Sequence, residues 1–198
     1  MNNPKQDVHD FWNLNSCGEQ LFLAGADKAA YAAQASARYA LEPYILDFAR
    51  FKDARDLKVL EIGVGLGADH QQFAEAGADL WGIDLTERAI EHTKQRLRVF
   101  GLPSRLLVGD AETLDFPDES FDCVYSWGVL HHSPNTPKAI DEVWRVLKHK
   151  GHASIMIYNK YSMVGLMLWV RYALCATALP AVADTTVYLQ SLSGKSRH

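Results

Sequence analysis

Between Val59 and Gly67 the chain reads Val-Leu-Glu-Ile-Gly-Val-Gly-Leu-Gly: a short apolar run holding one carboxylate, then glycines on alternate positions. Each glycine removes a Cβ where the backbone must bend sharply or let a ligand lie against it. The residues that follow, Ala68–Ala76, read as a helix that stops at Gly77. A strand, a glycine turn and a helix in that order predict the opening unit of an open α/β sheet. In such sheets ligands bind at the carboxyl edge of the strands.

The rest of the chain continues the alternation. Lys58–Ile62 is apolar enough for a strand covered on both faces. Leu80–Asp84 reads as a second strand. Thr86 then caps a helix to about Phe100, with Glu87 in its first turn and Gly101 at its end. Arg105–Gly109, Phe121–Ser126 and His152–Tyr158 read as further strands, and Pro137–Leu147 as a helix. Upstream, small and apolar residues recur at helical spacing from Ala29 to Phe51, with a break before Pro43. The pattern predicts an α/β, Rossmann-like, doubly wound and mostly parallel sheet with helices on both faces. Residues 1–54 form a helical cover, 55–160 the core and 161–198 an apolar tail, all in one structural domain.

Bulk composition narrows the partners. A chain of 198 residues with 48% hydrophobic and 22% charged residues suits one globular α/β domain. Its net charge of −4, with no basic patch, argues against a nucleic-acid partner. Cys17, Cys123 and Cys175 are odd in number and lack metal-type spacing, so reduced thiols in a cytoplasm and no bound metal are expected. The polar stretch Met1 to Asp10 lacks the basic-then-apolar pattern of a secretory signal.

Three elements converge on the ligand. Glu61 and the third glycine, Gly67, turn the reading from a dinucleotide towards S-adenosylmethionine. That cofactor has no pyrophosphate; it carries an ammonium and a carboxylate, of which Glu61 favours the first and backbone amides of the turn meet the second. Gly63-x-Gly65-x-x-Ala68 also passes as a dinucleotide fingerprint, and a tight turn without ligand is a third reading. Asp84, at the tip of the second strand, accepts hydrogen bonds from vicinal ribose hydroxyls, or else serves the helix cap before Thr86. Asp110 and Glu112 in Gly109-Asp-Ala-Glu offer an acceptor for an adenine amino group while the next amide donates to the ring. The alternative there is a solvated acidic loop continuing to Asp115 and Asp118.

These blocks resemble the class I S-adenosylmethionine-dependent methyltransferases, particularly the group like the ubiquinone/menaquinone-biosynthesis enzymes. The resemblance spans roughly residues 55 to 160. It rests on Val59–Gly67, Gly82-Ile-Asp-Leu, Gly109-Asp-Ala-Glu-Thr-Leu-Asp-Phe, Ser120-Phe-Asp-Cys-Val-Tyr-Ser, Val129-Leu-His-His and Arg145-Val-Leu-Lys. It implies that Gly63, Gly65 and Gly67 line the methionine portion and that Asp84 holds the ribose. Asp110 and Ala111 would lie at the adenine, Leu85 on its face and Trp127 along the cofactor. Two departures, Asp115 and His149-Lys-Gly151, replace the family's usual proline and Pro-Gly-Gly; both concern turns.

Chemistry is less sharply marked. Methyl transfer is an in-line displacement at a carbon already activated by the sulfonium, so positioning and desolvation supply much of the rate, and a base helps only where a hydroxyl, phenol or activated-carbon acceptor must lose a proton. His131 and His132, after the fourth strand, are the candidate bases, or else shape the pocket. Tyr158, Tyr161, Phe11, Trp12, Tyr31 and Tyr39 line an acceptor cavity or belong to the core. Met163–Ala183 is long enough to cross a bilayer, but Arg171, Gly165 and Pro180 interrupt it, so no stable membrane insertion is expected. It reads instead as a cover or a homodimer contact. About forty residues after Tyr158 are too few for the family's closing hairpin, so that end is read as incomplete or altered, with Thr186–Leu189 as one replacement strand. The expected function is methyl transfer to a small, apolar or amphipathic acceptor, giving S-adenosylhomocysteine. The rivals are a non-catalytic cofactor-binding scaffold or sensor and an NAD-dependent oxidoreductase.

Overall fold

The computed structural model describes residues 4–158. Tyr161, Cys175 and the expectations for Met163–Ala183 and Thr186–Leu189 lie outside the described residues. Chain contacts gather the described residues up to Ile157 into one compact unit.

Four helices come first: α1 (Pro4–Leu14), α2 (Glu19–Phe22), α3 (Lys28–Leu41) and α4 (Ile45–Ala49), followed by a 3₁₀ turn at Phe51–Ala54. Then come β1 (Lys58–Ile62), α5 (Ala68–Ala76), β2 (Asp79–Asp84), α6 (Glu87–Phe100), β3 (Arg105–Val108) and β4 (Phe121–Trp127). A second 3₁₀ turn (Leu130–His132), α7 (Thr136–Val146) and β5 (Leu147–Met156) complete the described elements. The five strands lie in the order β3-β2-β1-β4-β5, every pair parallel. The strand order reverses between β1 and β4, the place where such sheets open a ligand crevice.

Local chemistry explains the boundaries. Asp27 and Thr86 cap α3 and α6 by accepting from Ala30 N (2.8 Å) and Ala89 N (3.3 Å). Gly77 and Gly101 end α5 and α6 in the left-handed region, at φ 88° and 69°. Asn135, not singled out from the sequence, caps α7 through Lys138 N.

The apolar strands divide their side chains between two faces, as the pleat requires. Val59, Leu80, Cys123 and Tyr125 join Ile45, Phe51 and Phe73 on one side. Leu60, Ile62, Ile83 and Val124 join Leu130 and Val143 on the other. Each such buried side chain stabilises by about 1.5–3 kcal/mol, so the sheet is the rigid floor on which the site rests.

β2, β3 and β4 each differ from their expected extent by one residue, and β5 by more. β5 begins at Leu147, directly after α7, rather than at His152. Phe121 pairs with Leu147 and Cys123 with His152, so His149-Lys-Gly151 is a bulge inside the strand, with Lys150 at φ 69°. Pairing with β4 extends the strand back across residues whose local chemistry is that of a turn.

The cover is tied down by charge. The Arg96 guanidinium on α6 is fully buried over the Tyr31 ring and donates through Nη2 to Tyr31 O and Gln34 Oε1, both at 2.6 Å. Burial pushes its pKa down to about 10. Helix α1 lies across the carboxyl edge: Lys5 pairs with Asp110 and Glu112, His9 with Glu87, and Asn13 accepts from Arg88 N.

Candidate functional site

The crevice is built from the tips of β1, β2, β3 and β4. After β1 the chain turns through Gly63, Gly65 and Gly67, all at positive φ (85°, 52° and 76°). Gly63 N donates to Ile83 O (2.8 Å), pinning the turn to β2. A Cβ at Gly63 would stand 2.2 Å from Val129 Cγ2, and one at Gly67 would stand 2.8 Å from Thr93 Oγ1. Those two glycines exist so that neighbouring elements can close on the turn. At Gly65 an added Cβ would meet nothing within 4 Å. Gly65 therefore presents bare backbone to open space, the cradle a ligand backed against this turn requires.

Asp84 closes the second side. Its Oδ2 accepts from Gly65 N (3.1 Å), and Oδ1 accepts from Thr86 N (3.0 Å) and Thr86 Oγ1 (2.9 Å). The Asp84 carboxylate thus serves the Thr86 cap, as one of its two sequence readings expects, and ties that cap to the glycine turn. Burial raises its pKa, against the backbone and hydroxyl donors that lower it. Leu85 beside it is half-buried.

At the β3 tip, Asp110 Oδ1 accepts from Glu112 N (2.9 Å), while Oδ2 meets Lys5 of α1. Glu112 is buried and ties three segments together, accepting from Ser133 Oγ, Asn135 N (2.8 Å) and Lys5 Nζ (2.9 Å). Against the pull of burial, these donors hold its carboxyl down at about 2. Ala111 packs on the core beneath. At the β4 tip Trp127 is half-buried between Tyr44 and Phe48, ring centroids 5.7 and 5.3 Å away. His131 and His132 stack at 4.0 Å, and His132 meets the Trp12 ring at 5.3 Å. Burial lowers both imidazoles, His131 to about 4 with His132 contributing, so both are neutral near pH 7.

Sequence reasoning missed the layer beneath the turn. Asp69, in the first turn of α5, is buried and accepts from Arg38 Nε (3.1 Å) and Nη2 (2.6 Å), Tyr39 OH (3.0 Å) and Tyr125 OH (2.9 Å). Burial and the neighbouring Asp69 raise both phenols, so they remain donors. Glu61 is buried as well, its Oε2 2.8 Å from His70 Nδ1. The adjacent Asp-His after Ala68 was the available signal: polar residues on the inward side of a helix otherwise covered.

Burial pushes Glu61 well above its ordinary 4.5, with Asp69 and Asp84 adding repulsion and Arg38 opposing it. Burial pushes His70 down to about 3. The folded pair therefore holds one proton over a wide range. Above pH 6.5 the unfolded chain holds none on these groups, so stability falls as pH rises. Below pH 4.5 it holds two, so stability falls as pH drops, and between these values the contribution is flat. Glu61→Gln removes the upper limb. From pH 4.5 upward the wild type should lose ground to this variant by up to about 1.4 kcal/mol per pH unit. Urea unfolding at pH 5.5, 7 and 8 measures it; parallel stability curves would refute the shared proton.

A glycine turn facing a strand-tip carboxylate, on a parallel sheet of this order, is the arrangement of a Rossmann-like fold. Residues 60–155, just under half of the chain, match the family model described as methyltransferase domain, which makes this stretch a domain of the class I S-adenosylmethionine-dependent methyltransferase type. It is 36% identical over 95 residues to the uncharacterized methyltransferase YcgJ of Bacillus subtilis, covering 48% of this chain and 38% of that one. To the demethylmenaquinone methyltransferase of Tropheryma whipplei it is 30% identical over 135 residues, covering 66% and 55%. The crystal structure of YcgJ superposes with a TM-score of 0.56 at 30% identity, over 63% of this chain and 55% of that one. The chain thus spans about two fifths to just over half the length of these relatives. Among the described residues no helix is long and apolar enough to cross a membrane, and no three metal-binding side chains gather.

Proposed function

We propose that this protein transfers a methyl group from S-adenosylmethionine to a small, apolar or amphipathic acceptor, leaving S-adenosylhomocysteine. One observation carries the choice of cofactor: Glu61, Asp69 and Asp84 lie near one another around the glycine turn, with Arg38 as the guanidinium among them. Three carboxyl groups against one guanidinium favour a ligand whose near end is cationic, which Glu61 meets once it gives up its proton, and disfavour the pyrophosphate of a dinucleotide. Bound there, the cofactor supplies a methyl group already activated by the sulfonium. Gly65 offers bare backbone, Asp84 accepts from the ribose, and Asp110, Ala111 and Leu85 border the adenine. Glu112 holds the adenine loop to the start of α7. Trp127, Tyr44 and Phe48 present an aromatic wall on the β4 side, suited to an apolar acceptor. His131 and His132, neutral there, accept the acceptor's proton where the chemistry releases one. The relatives named demethylmenaquinone methyltransferase and sterol 24-C-methyltransferase take, by those names, a demethylmenaquinone and a sterol, which supports this acceptor class.

Calorimetric titration tests the reading: binding of S-adenosylhomocysteine without binding of NAD supports it, and the reverse refutes it. Incubation with methyl-labelled cofactor and a small-molecule extract then separates an enzyme from a scaffold, since a scaffold binds but yields no labelled product. Asp84→Asn keeps the shape and removes the charge. Its affinity for S-adenosylhomocysteine should fall by about 1–2 kcal/mol, roughly five- to thirtyfold, the worth of charge-assisted hydrogen bonds. Undiminished affinity would take Asp84 off the ribose.

A further inference from the structure

Beneath the glycine turn runs a buried chain of polar groups whose protons can be counted. Ser104 Oγ donates to Leu80 O (3.1 Å), which can only accept. Ser104 Oγ therefore accepts from His70 Nε2, 2.7 Å away. That leaves Nδ1 facing Glu61 Oε2 at 2.8 Å with a single proton between them, on the carboxyl with both groups neutral or on the ring with both charged. The His70 and Glu61 side chains are 0% and 4% exposed. Room for the ring is built into β2, since a Cβ at Gly82 would stand 2.6 Å from His70 Cε1. The charged and titratable groups facing Glu61 are Asp69 from α5, Arg38 and Tyr39 from α3, Tyr125 from β4 and Asp84 from β2.

We propose that His70 is a positioning residue for cofactor binding: it takes the Glu61 proton onto Nδ1 when a cationic amino group arrives at the turn, so that Glu61 meets that cation as a carboxylate. The Glu61 O–H bond breaks, the Nδ1–H bond forms, and no proton leaves the protein. Without ligand the two groups stay neutral and avoid the desolvation of a buried ion pair. This inference rests on the cofactor reading above, which places the amino-acid end of the ligand beside Glu61.

S-adenosylhomocysteine, which keeps that ammonium, is the probe. Its affinity for the wild type should be flat between pH 6 and 8. The ¹⁵N signal of His70 Nδ1 should move from the unprotonated to the protonated range on binding. In His70→Leu the Glu61 proton has no internal acceptor and must go to solvent, so affinity should rise with pH over the same range, by at most about tenfold per unit. A merely structural histidine would lower thermal stability without creating that slope. An Nδ1 signal that does not move, a wild type that releases one proton, or a leucine variant with wild-type affinity and a flat profile would each overturn the proposal alone. The Nδ1 measurement needs no variant, so it holds even if His70→Leu does not fold. Failure of the wild type to bind the probe at any pH would overturn the cofactor reading and this proposal with it.

Discussion

Gly63→Ala should destabilise the protein by about 2–5 kcal/mol, enough to unfold a marginal domain at physiological temperature. Two effects add. At φ 85° any Cβ crowds its own carbonyl, which costs about 1–2 kcal/mol. The new methyl would also stand 2.2, 2.7 and 2.9 Å from Val129 Cγ2, Cγ1 and Cβ. A β-branched side chain has little χ1 freedom to retreat, so overpacking adds about 1–3 kcal/mol. Urea unfolding of Gly63→Ala alone and with Val129→Ala separates the two, because the second change removes the 2.2 and 2.7 Å contacts and leaves the strain with only the 2.9 Å contact to Cβ. A single variant within 1 kcal/mol of wild type would show that the turn and the β4 loop are not packed as described. Gly65→Ala is the contrast. With open space at that Cβ it should fold with only the backbone penalty yet bind S-adenosylhomocysteine poorly.

Asp69→Ala should lower stability by about 3 kcal/mol. The carboxylate answers four donors: two guanidinium nitrogens of Arg38 and the hydroxyls of Tyr39 and Tyr125. Removing it strands these donors around an empty acceptor site, and breaking a buried pair in that way costs about 3–5 kcal/mol. The lower end applies because the Arg38 side chain is 25% exposed and regains some water. Asp69→Asn keeps one acceptor oxygen and should lose less. Denaturant midpoints at constant m-value measure both. An alanine variant as stable as wild type would mean the cluster does not hold α3 against α5.

How much was legible depended on how far apart in the chain the deciding partners lie. β1 and α5 match their expected bounds, Lys58–Ile62 and Ala68–Ala76, because apolar runs and glycines act on their own neighbours. The α6 cap at Thr86 and its stop at Gly101 are equally local. β5 began five residues early because its pairing with β4 is decided by a strand more than twenty residues away. The acidic loop at 110–112 was recognised, but Lys5, its partner from a helix a hundred residues earlier, carries no mark in the sequence.

By itself, then, the sequence determined the alternation of strands and helices, the glycine turn and the ring of strand-tip carboxylates, because spacing and side-chain chemistry suffice for these. Tertiary structure alone decided that Gly65 is the open glycine, while Gly63 and Gly67 yield to Val129 and Thr93. It also decided that Glu61 meets His70 at 2.8 Å in a site closed to water and that Asp69 gathers four donors. Those outcomes depend on which side chains the packed sheet and helices bring within hydrogen-bond reach, and on the loss of water there, which changes the protonation each group prefers.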